Sequence, residues 1–525
     1  MIPRRDDRPF RWAPAFAIAT MAWLALFPIT SIDAYYNLAV GRFILEHREI
    51  PSTGVFSATF GDRPWHDNEW GFQVLVAALG RTTRDADGLT HLSASGRAAL
   101  IGLRAAALTA TLALLALQMR RAGVDPLSRG VAVLLVAALT FNNLFWDIRP
   151  QIATYVLLAA TTWLLGLDRG GMRAAPWLTL PVVAVWANLH GAFVVGIAVL
   201  WVEAAGAIVE RDPRARRLAM VAALAPVAAC LNPHGVAQLT HPFLYMLHPE
   251  IHAGNAEWMR PVLWRLPLFV TTVAATVVSL IAAGRPRMAD ALRVAVFGGL
   301  GVSALRHLPL AAVVLVPVLA EYATRASARG GVRHALLPTG PGRPVGARAA
   351  AAVLGVAAIA ALSGAKFVGA VPRFEERMVR PMPEAGVRLL ARAGVDGPGL
   401  NAYRFGGFLM FRQYPDARVF MDGRNDLYRE FRDSVYNPLL RAAPGWREAL
   451  AEAVGRWGIE WILIDAAEPL AAALAGEPGW LPGDGRPGWV TDGAPGASVV
   501  LFLREQPANR VAAARIETWL NEGAR

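Results

Sequence analysis

Apolar stretches of about 20 residues, the length a helix needs to cross a bilayer, recur along most of this chain. They fall near residues 12–32, 98–118, 130–147, 151–167, 175–188, 191–209, 218–232, 264–283, 290–305, 308–322 and 348–371. The pattern predicts a mainly α protein, a polytopic transmembrane bundle of about eleven spans. The polar residues between the stretches form two alternating sets. One set is arginine: Arg4, Arg5, Arg8 and Arg11, then Arg120, Arg121 and Arg129, Arg169 and Arg173, Arg211, Arg214, Arg216 and Arg217, Arg285 and Arg287, and Arg325 to Arg348. The other set gathers acids, histidines and amides. Positive loops stay in the cytoplasm, so the first set marks the inner face and the second the outer face. The N-terminus is then cytoplasmic.

After residue 371 the pattern changes. Short strand-like runs at 399–403, 417–422, 461–465 and 498–504 alternate with helix-like runs such as 383–393 and 445–457. That alternation predicts a small extracytoplasmic α/β domain over 372–525. The transmembrane domain then covers 1–371, including a long first outer loop at 33–97, and a Gly/Pro/Arg-rich cytoplasmic linker covers 323–347. No internal repeat or sustained heptad is present.

Composition agrees with a membrane protein: 55% of the 525 residues are hydrophobic and only 18% charged. The net charge of +12 comes almost wholly from arginine, Lys366 being the sole lysine. Because those arginines lie in short loops between apolar runs, they serve topology and not nucleic-acid binding. Cys230 is the only cysteine, which excludes a disulfide framework and a cysteine zinc site. No small-residue cleavage site follows the basic start, so an uncleaved first span is expected in place of a signal peptide.

The chemistry sits in the outer set. Asp33 marks the point where the first span meets water, as a catalytic carboxylate or as a solvated helix end. Residues 34–47 have helical spacing that would suit an amphipathic helix lying in the interface. Trp65-His66-Asp67-Asn68-Glu69-Trp70 packs two acids and a histidine between indoles. His66, Asp67 and Glu69 could hold a divalent cation, although their spacing matches no known metal motif. Asp147 and Arg149 stand at another outer turn, where an arginine fork suits phosphate. Asn188 and His190 interrupt an apolar run, a costly placement unless they are paired or functional. Asn232-Pro-His234, Glu257, Arg260 and His307 complete the outer set. In the C-terminal region, Arg404-Phe-Gly406-Gly407 and Asp422-Gly-Arg424 read as mainly structural, with contact to the membrane-side site as the alternative.

Together these motifs resemble uncharacterised bacterial multispan proteins related to the GT-C glycosyltransferase superfamily, of the glycosyltransferase 39 kind. The residues that carry the resemblance are Asp33-x-Tyr-Tyr-Asn-Leu-Ala-Val-Gly-Arg42, Phe56-Ser57-x-Thr59, Trp65 with Glu69-Trp70, Arg149-Pro-Gln151, Trp186-Ala-Asn-Leu-His-Gly191, Asn232-Pro-x-Gly235, Glu257-Trp258 and Phe420-x-Asp422-Gly-Arg424. They run in order along nearly the whole chain. The resemblance implies an inverting transferase of the bacterial inner membrane, using a polyprenyl-phosphate-linked sugar at the outer face. Asp33 matches the family's general base and Asp147 its second outer acid. Arg149, His66, Asp67, Glu69, His190, Asn188, Glu257, Arg260 and His307 would then contact substrate or phosphate. Many members carry adjacent acids in the first loop, whereas Asp33 precedes Ala34; Asp67 or Glu69 would supply the missing carboxylate, or metal dependence would be lost. No nucleotide is implied, and the chain has no P-loop or dinucleotide fingerprint. The acceptor stays open among glycan, lipid and protein. The alternatives are a transporter or flippase, which would place polar residues near the midplane within inverted repeats, and a non-catalytic scaffold for envelope glycan assembly.

Overall fold

The computed structural model describes residues 10–26, 29, 31–141, 147–248, 251, 255–329, 382–483, 488–492 and 498–523. The span expected at 348–371, most of the linker at 323–347 and the arginines at 4–8 lie outside the described residues. The chain is mainly helical with a small sheet in its C-terminal part. It forms two compact units, Met1–Ile29 with Ile101–Leu362, and Thr30–Leu100 with Ser363–Arg525. The first outer loop thus folds with the C-terminal region, whereas the sequence reading groups it with the helical region.

In the first unit each described apolar stretch is a helix. They are Ala13–Leu24, Ala94–Arg121 (which begins in the other unit), Pro126–Phe141, Gln151–Arg169, Thr179–Leu189, Phe193–Val209, Ala215–Ala229, Pro267–Ala283, Met288–Ser303 and Leu308–Ala328. A further helix, Ala237–Leu247, forms in what reads as an outer loop. Local chemistry explains several ends. Pro267 opens its helix where no N–H is needed, and Arg120 and Arg121 close theirs at the negative end of the dipole. Among the described residues two helices, Ala94–Arg121 and Leu305–Ala328, are long and apolar enough to cross a membrane. The rest are shorter because polar breaks cut the apolar runs; His190, for example, is extended and ends Thr179–Leu189.

Leu112, Val136, Trp186, Phe193, Phe297 and Val316 share one buried core. Fully buried Arg104 ties that core to a helix end, donating from Nε and Nη2 to the Ala25 carbonyl at 3.0 and 2.7 Å. Ala25 caps Ala13–Leu24, so the arginine satisfies a helix-terminal carbonyl that would otherwise be orphaned. Several arginines of the topology set are also in ion pairs: Arg169 with Glu203, Arg214 and Arg217 with Asp168, and Arg287 with Asp290 and Glu321. Arg293 joins them, 2.8 Å from Glu203.

The second unit is built on a mixed sheet. Its strands are β1 (Thr82–Arg84), β2 (Thr90–Leu92), β3 (Gly399–Asn401), β4 (Trp461–Asp465), β5 (Trp480–Leu481), β6 (Trp489–Asp492) and β7 (Val499–Arg504). β1 and β2 form a hairpin; the larger sheet runs β3-β4-β7-β5, with β6 also on β7. β3 and β4 are parallel, with Leu400 opposite Ile462, while β7 is antiparallel to β4, with Leu501 opposite Leu463. Every residue of β4 is buried, as a continuous apolar run in a central strand should be.

The strand expected at 417–422 does not form; Val419 makes only isolated bridges, to Ser57 and Gly399. The Asn401 side chain takes over the missing ladder, accepting from Phe420 N–H at 2.9 Å and donating to the Met421 carbonyl at 2.8 Å. Residues 34–47 do form a helix, Asp33–His47, but it is packed inside the unit with Asn37, Leu38, Ala39, Val40 and Ile44 buried. It does not lie as a surface amphipath. Gly41 allows this, because a Cβ there would stand 1.9 Å from the Gln73 carbonyl oxygen. Gly41→Ala is expected to cost about 1–3 kcal/mol through overpacking, seen as a lower unfolding midpoint of the full-length protein in detergent.

Candidate functional site

The motif residues of the second unit converge around the start of Asp33–His47. Asp33 is the first residue of that helix, with its N–H donating to Ser31 Oγ at 3.2 Å. Its carboxylate therefore stands at the positive end of the helix dipole. A Cβ on Gly423 would lie 3.5 Å from Asp33 Oδ1 and 3.6 Å from the Tyr36 ring, so the Asp422-Gly-Arg424 turn faces Asp33 directly. Gly407 admits the same helix from another side, 3.1 Å from Tyr36 Cβ by the same measure.

One turn along, the Tyr36 hydroxyl donates to Glu69 Oε2 at 2.7 Å. Asp67 is buried behind this pair, its Oδ1 accepting from Gln73 Nε2 at 3.0 Å and from Glu69 N–H at 3.2 Å. Burial pushes Asp67 up to about 8, the Glu69 carboxylate adding to the rise against the Glu69 N–H bond and Arg424, which lower it. Burial and then Glu69 and Asp33 also hold the Tyr36 phenol well above its usual value, so at neutral pH it is a donor. Tyr403, raised by burial and by Asp33, donates to Asn425 Oδ1 at 3.1 Å.

The Asp422-Gly-Arg424 turn is held by a buried ion pair, Arg424 Nε and Nη2 meeting the two carboxylate oxygens of Asp422 at 2.9 and 2.7 Å. The Tyr428 hydroxyl donates to the same carboxylate at 2.8 Å. Burial raises Asp422, but Arg424 outweighs it and keeps the group below the ordinary carboxylate range. Arg424 also lies 4.9 Å above the Trp65 ring, which joins the Trp65–Trp70 run to the turn. Phe56 and Val419 exchange a backbone bond of 2.8 Å, so the Phe-Ser-x-Thr segment is fixed to the same place. Arg424→Ala would strand a carboxylate that is 0% exposed. Its expected cost is about 3–5 kcal/mol, measured as a fall in the unfolding midpoint that Asp422→Asn in the same chain partly restores.

In the first unit a second group of the expected residues meets. Arg149 forms an ion pair with Glu257. Arg306 stacks 4.4 Å above Trp258, whose ring also meets His307 edge-on at 6.0 Å. His190 is buried and joined through Nδ1 to Thr154 Oγ1 at 2.7 Å; Trp186 Nε1 donates to that same hydroxyl at 2.8 Å. Asn188 is used structurally, bonding the Ala184 and Leu231 carbonyls at 2.8 and 2.9 Å. Arg260 is exposed and has no carboxylate partner among the described residues. Asp147 is 3% exposed and faces Arg104 Nη1 at 3.3 Å, so its carboxylate is engaged in the core.

Among the described residues no three histidine, cysteine, aspartate or glutamate side chains converge as a metal set. His66 is half-buried beside Trp65 and does not complete such a set with Asp67 and Glu69. No protein-family model and no curated protein matches the chain. Tyr36, Gln73, Tyr403 and Arg104 belong to these two groups but were not among the expected site residues; Arg306 stands beside His307 in the outer set. Arg104 had a signal, a charge within an apolar helix.

Proposed function

We propose that this protein is a membrane glycosyltransferase of the bacterial inner membrane. On this reading it crosses the bilayer about eleven times and has its C-terminal domain outside. It moves a sugar from a polyprenyl-phosphate-linked donor to an envelope acceptor at the outer face. The observation that carries the reading is the setting of Asp33: a half-buried carboxylate at a helix start, ringed by Tyr36, Glu69, Tyr403 and the Asp422-Gly-Arg424 turn. Such a carboxylate suits a general base.

The acceptor oxygen attacks the anomeric carbon from the face opposite the lipid phosphate. The new carbon–oxygen bond forms as the bond to phosphate breaks. Asp33 takes the acceptor proton, and polyprenyl phosphate leaves with the electron pair. Within the first unit, Arg149, held by Glu257, and Arg306 have the chemistry to bind a phosphate. Asp67, raised to about 8 and so largely protonated at neutral pH, lowers the negative charge around the base. Within the first unit Asp147 acts as a positioning group, through its bond to Arg104.

The test is turnover by the purified full-length protein in detergent with a panel of polyprenyl-phosphate sugars. Release of polyprenyl phosphate by wild type, and its loss in Asp33→Asn, is the expected result. No turnover with any donor, together with an unchanged envelope in cells lacking the protein, would overturn it.

A further inference from the structure

A cavity of about 500 Å³ opens in the second unit, within the roughly 300–1,000 Å³ of small-molecule sites. It is lined by Ser57–Arg63 with Pro398, Arg418 and Trp457. Apart from Ser57, the residues around Asp33 do not use this lining.

The walls are tied to their surroundings by hydrogen bonds and ring contacts. The Ser57 hydroxyl donates to the Tyr428 oxygen at 3.2 Å, and Thr59 donates to the Phe420 carbonyl at 2.9 Å. Phe60 stands edge-on to Phe431 with ring centroids 5.1 Å apart, and Trp457 stands edge-on to Phe420 at 5.3 Å. The arginines are the informative part. Elsewhere in this unit Arg388, Arg392, Arg404, Arg412 and Arg424 each face a carboxylate, while Arg84, Arg429 and Arg515 bond backbone carbonyls. In the cavity lining, Arg63 lies 5.0 Å above Phe60, and exposed Arg418 donates only to the Ala417 carbonyl, at 3.0 Å. Neither has an acid partner among the described residues. Asp62 is the one carboxylate in the lining, and Arg456 adds a further positive charge 4.9 Å above the Trp457 ring.

Two uncommitted guanidinium forks beside an aromatic wall suit a ligand with an acid group on a ring-shaped body. We propose that this cavity binds an anionic saccharide, a sugar carrying a carboxylate or a phosphate. Arg63 and Arg418 hold the acid group, and Phe60 and Trp457 pack against the ring. The saccharide part rests on the sugar-transfer reading; the anionic part rests on the arginines alone.

The test is calorimetric titration of the full-length protein in detergent with a galacturonate hexasaccharide, mannose 6-phosphate, neutral maltohexaose and inorganic phosphate. One anionic sugar should bind, identifying the acid, while maltohexaose does not. Arg418→Ala, at an exposed position, should weaken that binding about tenfold or more. Arg63→Ala with Arg418→Ala should abolish it at an unchanged unfolding midpoint, and Asp33→Asn should leave it intact. Failure of both anionic sugars, equal binding by the double variant, or inorganic phosphate binding as tightly as mannose 6-phosphate would overturn the proposal. Donor turnover lost in Asp33→Asn without sugar binding sinks the cavity alone. Sugar binding without any donor turnover sinks the transferase reading and leaves the cavity.

Discussion

Cells carrying Asp33→Ala are expected to lose one specific envelope sugar and to accumulate its polyprenyl-phosphate donor. A positioned general base contributes about 10²–10⁴-fold to such a reaction, enough to remove a product from a glycan profile. The position also permits a clean control. Asp33 is the first helical residue and Ile32 the N-cap, so asparagine leaves the capping residue unchanged. Asp33→Asn therefore keeps the size and shape of the side chain, gives up about 0.3–1 kcal/mol of charge–dipole stabilisation, and removes the ability to take a proton. Loss of the sugar in both variants, at normal protein level, assigns the effect to the carboxylate. Loss in the alanine variant with retention in the asparagine variant assigns it to the fold. An unchanged profile in both moves the weight to a scaffold role.

The helical part of the fold was legible because apolar runs of the right length are a local signal. The buried strand Trp461–Asp465 was legible for the same reason. The segment 417–422 has strand-like residues too, yet a side-chain amide, that of Asn401, takes its hydrogen bonds, and no local pattern announces that. The assembly of the second unit was hidden more deeply. Tyr428 and Ser57 touch across 371 positions of sequence, so the first outer loop carries no mark of the partner it folds with. The candidate site shows the same division. Asp33, Asp67 and Glu69 could be named as chemically able groups, but Tyr36, which bonds Glu69, sits in the sequence as one of two adjacent tyrosines with no polar signature. The turn at Asp422-Gly-Arg424 read as mainly structural; its buried ion pair is structural, while its glycine faces Asp33.

The stability of the second unit is expected to fall as pH rises from about 4 to about 8, and Asp67→Asn should remove most of that fall. Burial is the main reason Asp67 is raised from 3.8 to about 8. In the unfolded chain the group ionises near 4, so across this window the folded state holds a proton that the unfolded state has lost. Stability then decreases with pH, by about 1.4 kcal/mol per unit. It is fully present below about 4 and levels off above about 8, a span worth roughly 6 kcal/mol at most. Neighbouring carboxylates work the other way: Asp422, held low by Arg424, adds stability above its unfolded value and loses it only in acid. Comparing wild type with Asp67→Asn cancels that contribution and isolates the buried acid. The amide keeps the size of the group and can still accept from Gln73, so the variant should unfold at a nearly constant midpoint from pH 5 to 8 and exceed wild type at the alkaline end. Parallel curves for the two proteins would mean that Asp67 ionises normally, and would remove the neutral group that the proposed site places among Asp33, Glu69 and Tyr36.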